Sequence, residues 1–260
     1  MDVEDLVNAL AVFTFGFGRM FACFTMIPIF GPSVLPGGIR TGLAAVMTLP
    51  AYPIIAPDGI ILEFSTLTLV VLAIKEVIIG ILLGFGAAMI FYAIETAGFF
   101  IDNQRGSTMA SSVNPLTGSQ TSPLGIFLSQ VLNVVFMVGG GFFILILAIY
   151  ESYRFFPVFE FYPVLNMEGT RYFLSVIDRI MALGILIAAP AMIAMFLSEF
   201  GLGLISRFAP QLNVFFLAMP VKSAVGILML ILYINLLQIV WEDAFADIAA
   251  HFSIMRGLLQ

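Results

Sequence analysis

Residues Asp102 to Pro123 read DNQRGSTMASSVNPLTGSQTSP, a polar island between two of the most apolar runs in the chain. Asp102 and Arg105 are its only charges, and Ser, Thr, Asn, Gln, Gly and Pro dominate the remainder. Hydrocarbon offers no partner to so many hydroxyls, amides and freed backbone groups. The island therefore has to sit in water, against protein, or beside an aqueous path. Asn114-Pro115 and Leu116-Thr117-Gly118 carry turn chemistry, and Ser122-Pro123 suits the start of the helix that follows.

The composition around the island explains why it stands out. The 260 residues are 61% hydrophobic and 10% charged, whereas a soluble domain carries roughly 25% charged residues. Such a chain cannot cover itself with a hydrated surface, and the expected fold class is an all-α integral membrane protein. The net charge of −6 is thinly spread, with Lys75 and Lys222 the only lysines. No basic face for nucleic acid exists. Cys23, the only cysteine, excludes an internal disulfide or a thiolate metal cluster and reads as a small buried apolar residue. The acidic start, MDVEDLVNAL, lacks the basic region of a signal peptide, so the first apolar run is expected to be retained.

Upstream of the island, Leu6 to Phe30 is long enough to span a bilayer and is broken only by Arg19. An arginine there snorkels, pairs with a carboxylate on another helix, or lines a wet cavity, and pairing is preferred. Pro28, Pro32 and Pro36 with Gly31, Gly37 and Gly38 make a turn-rich connector carrying Arg40. Thr41 to Pro57 contains Pro50 and Pro53, which predicts a bent or half-length helix. After the acidic break Asp58–Glu63, Thr66 to Ile101 exceeds one bilayer crossing and carries Lys75, Glu76 and Glu95. Lys75 and Glu76 are adjacent and point to different sides of a helix, so each is expected to meet another helix or chain rather than its neighbour. Gly80, Gly84 and Gly86 permit close helix approach.

Downstream, Leu124 to Tyr150 is uncharged, with Gln130 and Asn133 in its first half and Gly139, Gly140 and Gly141 in its middle. Three glycines in series predict a hinge, a break or a very close contact. Glu151 to Arg171 is aromatic and mixed in charge and reads as an interfacial connector. Tyr172 to Leu197 is the next helical run, with Asp178, Arg179 and Pro190. A semi-polar segment, Glu199 to Lys222, leads to the apolar helix Ser223 to Trp241. The tail places Phe245, Ile248, Phe252, Met255 and Leu259 on one stripe of an amphipathic helix for an interface or a partner. This makes about six hydrophobic segments, several kinked, with both ends expected on one side. Basic residues divide almost evenly between alternate connectors and assign no orientation.

Catalytic chemistry is not expected. His251, the only histidine, lies in the amphipathic tail, where it suits an interface. A His-assisted nucleophile, a zinc HExxH site and a phosphate loop all lack their residues. No cofactor and no metal site are implied. Arg19, Lys75, Glu76, Glu95, Asp178 and Arg179 remain as buried-charge candidates, with intersubunit or internal ion pairs as the plainer role for each.

Two blocks carry a family resemblance. One comprises Asp102-Asn103-Gln104-Arg105-Gly106, Asn114-Pro115-Leu116-Thr117-Gly118, Ser122-Pro123-Leu124-Gly125 with Gln130, and Gly139 to Gly141. The other is Arg207-Phe208-Ala209-Pro210-Gln211-Leu212-Asn213-Val214-Phe215, followed by Pro220, Lys222 and Gly226. In order and spacing the chain resembles, from Gly31 onward, the T-type subunit of the type III secretion export apparatus, the injectisome counterpart of the flagellar export protein FliR. The DNQRG block and the aromatic connector after Tyr150 are similar to injectisome members more than to flagellar ones.

The resemblance implies a non-enzymatic subunit of an export gate in the bacterial inner membrane. Its implied partners are R-type and S-type subunits, the U-type and V-type export components, membrane lipids, and unfolded secretion substrates in transit. It also implies helical hairpins wound into a hetero-oligomeric helical assembly, partly raised towards the periplasm. The whole of 1–260 is then one membrane domain. It divides into N-terminal helices 6–101, the polar stretch 102–123, central helices 124–198, a semi-polar connector 199–222, a last apolar helix 223–241 and the tail 242–260. By resemblance the polar stretch lies near the pore, with Arg105, Gly106, Met109, Ser111, Ser112, Val113, Asn114, Pro115, Leu116 and Gly118 as pore candidates. Small polar side chains can line a path without holding one cargo strongly, while Met109, Val113 and Leu116 supply an apolar constriction. Arg207, Pro210, Gln211, Asn213 and Lys222 are candidates for holding the assembly together. The rival readings are a small-solute secondary transporter coupled through Glu95, Asp178 and Arg179, which predicts two related halves, and a purely structural membrane scaffold. No internal repeat is evident in the sequence.

Overall fold

The computed structural model describes residues 3–32, 34–55, 65–107, 122–160, 167–208, 216–235 and 237. Helices account for the regular structure throughout these residues, and no strand occurs among them. The helices are α1 (Val3–Met26), α2 (Gly37–Thr48), α3 (Tyr52–Ile55), α4 (Thr66–Gln104), α5 (Pro123–Val138), α6 (Gly141–Phe155), α7 (Met167–Phe208) and α8 (Phe216–Asn235). Outside the described residues lie the acidic break Asp58–Glu63, the island from Thr108 to Thr121, the Pro210-Gln211-Asn213 turn, and the amphipathic tail with His251.

Among the described residues four helices are long and apolar enough to cross a membrane: Leu6–Met26, Thr66–Gln104, Leu174–Phe208 and Phe216–Asn235. The pair α5 and α6 makes a fifth candidate, bent by 71°. The sixth hydrophobic run, Thr41–Pro57, is described as far as Ile55. Its described part is divided among the end of the 12-residue α2, a 3-10 turn at Leu49–Ala51 and the four-residue α3. Pro50 lies in that 3-10 turn, where a missing backbone donor is least costly. At 1.5 Å per residue α4 measures about 58 Å and α7 about 63 Å, each well beyond the ~30 Å of a hydrocarbon core.

Gly140 supplies the break between α5 and α6, with a left-handed φ of 79° that side-chain-bearing residues adopt only at a cost. Pro190, in contrast, lies inside α7 without ending it. α7 extends at both ends beyond the run read from hydropathy, from Met167 rather than Tyr172 and to Phe208 rather than Leu197. The semi-polar composition after Glu199 is compatible with helix, because Leu, Ile, Ser and Arg all propagate one. α8 likewise begins at Phe216, so Lys222 is helical rather than part of a connector.

The chain divides into two compact units. The first contains the described parts of 1–89 and 136–176. Here α1 packs on α2 and α3, and α3 packs on α6. Met20, Phe24, Ile27, Phe30, Leu72, Ile79, Leu145 and Ile149 are buried in this core. Gly80 and Gly84, one turn apart on α4, lie against the backbone of α1 at Arg19 and Cys23, where a Cβ would collide with main-chain atoms. The small-residue spacing read from sequence is thus a helix contact at these two positions.

The second unit contains the described parts of 90–135 and 177–244. Ile94, Ala97, Ile101, Leu128, Leu132, Ile187, Ala188, Ala191 and Met195 are buried in it. Tyr233 Oη donates to the Ile187 carbonyl at 3.1 Å, linking α8 to α7.

Candidate functional site

The second unit holds the two ends of the polar island. α4 carries the chain through Gln104 and stops at Gly106, whose φ of 83° is left-handed and whose N–H donates to the Asn103 carbonyl at 3.0 Å. The chain returns at Ser122, immediately before α5. Ser122 Oγ accepts the Gly125 N–H at 2.9 Å, capping α5 as the sequence suggested. The same hydroxyl donates to Asp102 Oδ2 at 2.6 Å, and Leu124 N–H donates to that oxygen at 3.0 Å.

Arg105 completes the arrangement, with Nη2 2.6 Å from Asp102 Oδ1. That contact is an ion pair without hydrogen-bond alignment, since Oδ1 has no aligned donor among the described residues. Ser107 Oγ donates to the Asp102 main-chain carbonyl at 3.0 Å. Asp102 is 1% exposed, so donors to its carboxylate replace water that burial has removed. Beneath it Gly98 and Gly125 meet backbone to backbone, leaving no room for a Cβ on either.

The first unit holds a different cluster. Arg19 on α1 and Glu76 on α4 are both 0% exposed. Their contact is bidentate, Nε to Oε2 at 2.7 Å and Nη2 to Oε1 at 3.0 Å. Arg19 also donates to Ser152 Oγ at 3.1 Å and to the Phe156 carbonyl at 2.7 Å, and its guanidinium lies 4.5 Å from the centre of the Tyr153 ring. Tyr153 Oη in turn donates to the Gly16 carbonyl at 2.7 Å. A buried ion pair needs this completeness, because desolvating each charge costs several kcal/mol and only good geometry with further hydrogen bonds offsets it (about that order per ion).

Lys75 corrects the sequence reading in part. Its Nζ does reach another element, donating to the carbonyls of Pro157, Val158 and Glu160 at 2.9, 2.7 and 2.8 Å. It also stands 3.0 Å from Glu76 Oε1, so the two adjacent residues are partners after all. The long aliphatic stem lets the ammonium wrap around the helix to a carboxylate that a neighbour's backbone direction alone would place out of reach.

The other candidates are dispersed. Lys222 on α8 pairs with Glu199 on α7 at 3.1 Å. Glu95, Asp178, Arg179 and Arg207 occupy exposed positions. Glu95, Asp178 and Arg179 are therefore not buried charges within this chain. Of the pore candidates, Arg105 and Gly106 belong to the described base of the island, and Gly106 packs near Met219. Met109, Ser111, Ser112, Val113, Asn114, Pro115, Leu116 and Gly118 lie outside the described residues, as do the assembly candidates Pro210, Gln211 and Asn213. Asp102, Ser122, Ser152 and Tyr153 were not among the site residues drawn from sequence. The visible signal for Asp102 was its charge at the end of an apolar helix. Ser152 and Tyr153 lay in a mixed ESYR stretch that reads equally well as an interface. Among the described residues no group of His, Cys, Asp and Glu side chains could hold a metal ion.

The sequence model of the bacterial export proteins, family 1, matches residues 10–248. The chain is 44% identical to Yop proteins translocation protein T of Yersinia pestis over 89% of both chains. It is 30% identical to the surface presentation of antigens protein SpaR of Salmonella typhimurium, covering 90% of this chain and 86% of that one. It is 29% identical to the flagellar biosynthetic protein FliR of Bacillus subtilis, covering 99% and 98%.

Proposed function

We propose that this chain, which belongs to the bacterial export proteins of family 1, is the T-type subunit of a type III secretion export gate in the bacterial inner membrane. It acts without catalysis, as one wall of the entry pore for unfolded polypeptides, assembled with R-type and S-type subunits and working with the U-type and V-type components. The greater identity to the Yersinia translocation protein than to the Bacillus flagellar protein favours injectisome use. The near end-to-end match to the flagellar protein keeps flagellar export as the second reading.

The observation that carries the proposal is a hydrogen-bonding island held at both ends by one buried carboxylate at the ends of two apolar helices. A conduit for arbitrary sequence has to close against ions at rest yet bind no cargo tightly, and short polar side chains with a few apolar residues meet both needs. Arg105, Gly106 and the stretch from Met109 to Gly118 face that path in this reading. Arg207, Pro210, Gln211 and Asn213 hold neighbouring subunits, and part of the assembly stands above the bilayer on the periplasmic side. Deletion of Ser107 to Ser112 tests the pore assignment: impaired secretion or an ion-leaky membrane is expected, and normal secretion with normal tightness contradicts it.

A further inference from the structure

We infer that Asp102 is a positioning residue which fixes both ends of the polar stretch, and that the base it forms between α4 and α5 stays shut while cargo passes. The inference rests on the pore reading of 102–123 and adds to it the part of the structure that does not move.

One residue receives the chain on its way out and on its way back. The Asp102 carbonyl accepts from Ser107, and Arg105 pairs with its Oδ1 on the departing side. Its Oδ2 accepts from Ser122 and from Leu124 N–H on the returning side, 20 and 22 residues later. Opening this base would strip a carboxylate that is 1% exposed of both donors to its Oδ2, leaving it only the unaligned contact with Arg105. Hydrogen bonds to a charged acceptor that burial has cut off from water are among the stronger ones in a fold, and losing two at once is costly. The backbone contact of Gly98 with Gly125 lies just below and admits no intervening side chain. Close-packed backbone of this kind shifts between discrete arrangements rather than yielding gradually. Separation of α4 from α5 at this level is therefore the least accessible motion of the hairpin.

The test uses bacteria that assemble the full apparatus, with secretion, dye entry and co-purification of the other apparatus subunits measured together. Asp102→Ala is expected to raise dye entry several-fold while co-purification is kept. Asp102→Cys with Ser122→Cys is expected to leak in reductant, and to reseal when a short bifunctional thiol reagent bridges the pair, with secretion continuing across the bridge. Cys23 is fully buried and does not compete for the reagent. A bridge that stops secretion overturns the inference, and so does a tight membrane in Asp102→Ala. If Asp102→Ala does not accumulate, Ser122→Ala keeps the carboxylate and is expected to leak more weakly; tightness there overturns the inference too. Deletion of Ser111 and Ser112 separates the two failures. Leakage in that deletion beside a tight Asp102→Ala removes the positioning role alone, whereas tightness in both removes the pore reading with it.

Discussion

Arg19 Nε lies 2.7 Å from Glu76 Oε2, in a bidentate pair between α1 and α4 from which solvent is fully excluded. The two residues are 57 positions apart, and the pair closes the first unit around α6 through Ser152, Tyr153 and Phe156.

Removing one member of this pair strands the other in a dry site. Glu76→Ala is expected to destabilise the fold by about 3–5 kcal/mol. Arg19→Met with Glu76→Met, which strands no charge within the pair, should recover a substantial part of that loss. Thermal denaturation of the detergent-purified complex, or the amount of protein in the membrane, measures both; equal losses for single and double variants would contradict the pairing.

Lys75 binds three carbonyls of the turn after α6 as well as Glu76. Lys75→Met leaves those acceptors unsatisfied and is expected to cost about 1–3 kcal/mol. Lys75→Arg should not restore the loss, since a planar guanidinium cannot converge on the acceptors as a compact ammonium does. Protease sensitivity near Pro157 reads the effect locally; full rescue by arginine would show that charge alone matters.

Gly84 faces the Cys23 carbonyl and Cα, so even one added methyl meets backbone. Gly84→Ala is expected to cost about 1–3 kcal/mol through overpacking. Gly42, where a Cβ meets nothing, is the matched control and should accept alanine with little change. Similar stability losses at the two positions would contradict the α1–α4 contact.

Glu199 is 46% exposed, so its pair with Lys222 is screened on one side. Lys222→Met is therefore expected to change the stability of the isolated chain by no more than about 1 kcal/mol. A much larger effect seen only in the assembled complex would assign Lys222 to a subunit contact, and co-purification with the other apparatus subunits measures it.

The fold was legible where one residue type dictates the backbone. The triplet at Gly139–Gly141 predicted a break, and the bend falls there, with Gly140 left-handed. Pro50 and Pro53 predicted an interrupted helix, and that run is divided after Thr48. The long α4 was visible in its unbroken hydropathy. Pairings were less legible, because side-chain reach and sequence-distant contacts leave no periodic trace. The preference for a carboxylate opposite Arg19 held, yet nothing local distinguished Glu76 from Glu95, and only Glu76 is buried. Lys75 meets another element as its helix direction predicts, and its pairing with Glu76 as well depends on the length of its stem, which direction alone does not carry. The contacts of Asp102 left no local trace because its partners, Ser122 and Leu124, stand across the whole island.

The most direct test of the account is photo-crosslinking in cells that carry an export substrate stalled in transit. Probes replace Ser111, Thr117 and, as an outward-facing control at the other end of α4, Leu67, which is 74% exposed. Substrate adducts at Ser111 and Thr117 but not at Leu67 are predicted. Absence of adducts at both island positions, with substrate demonstrably stalled in the same complexes, would contradict the claim that the island borders the export path.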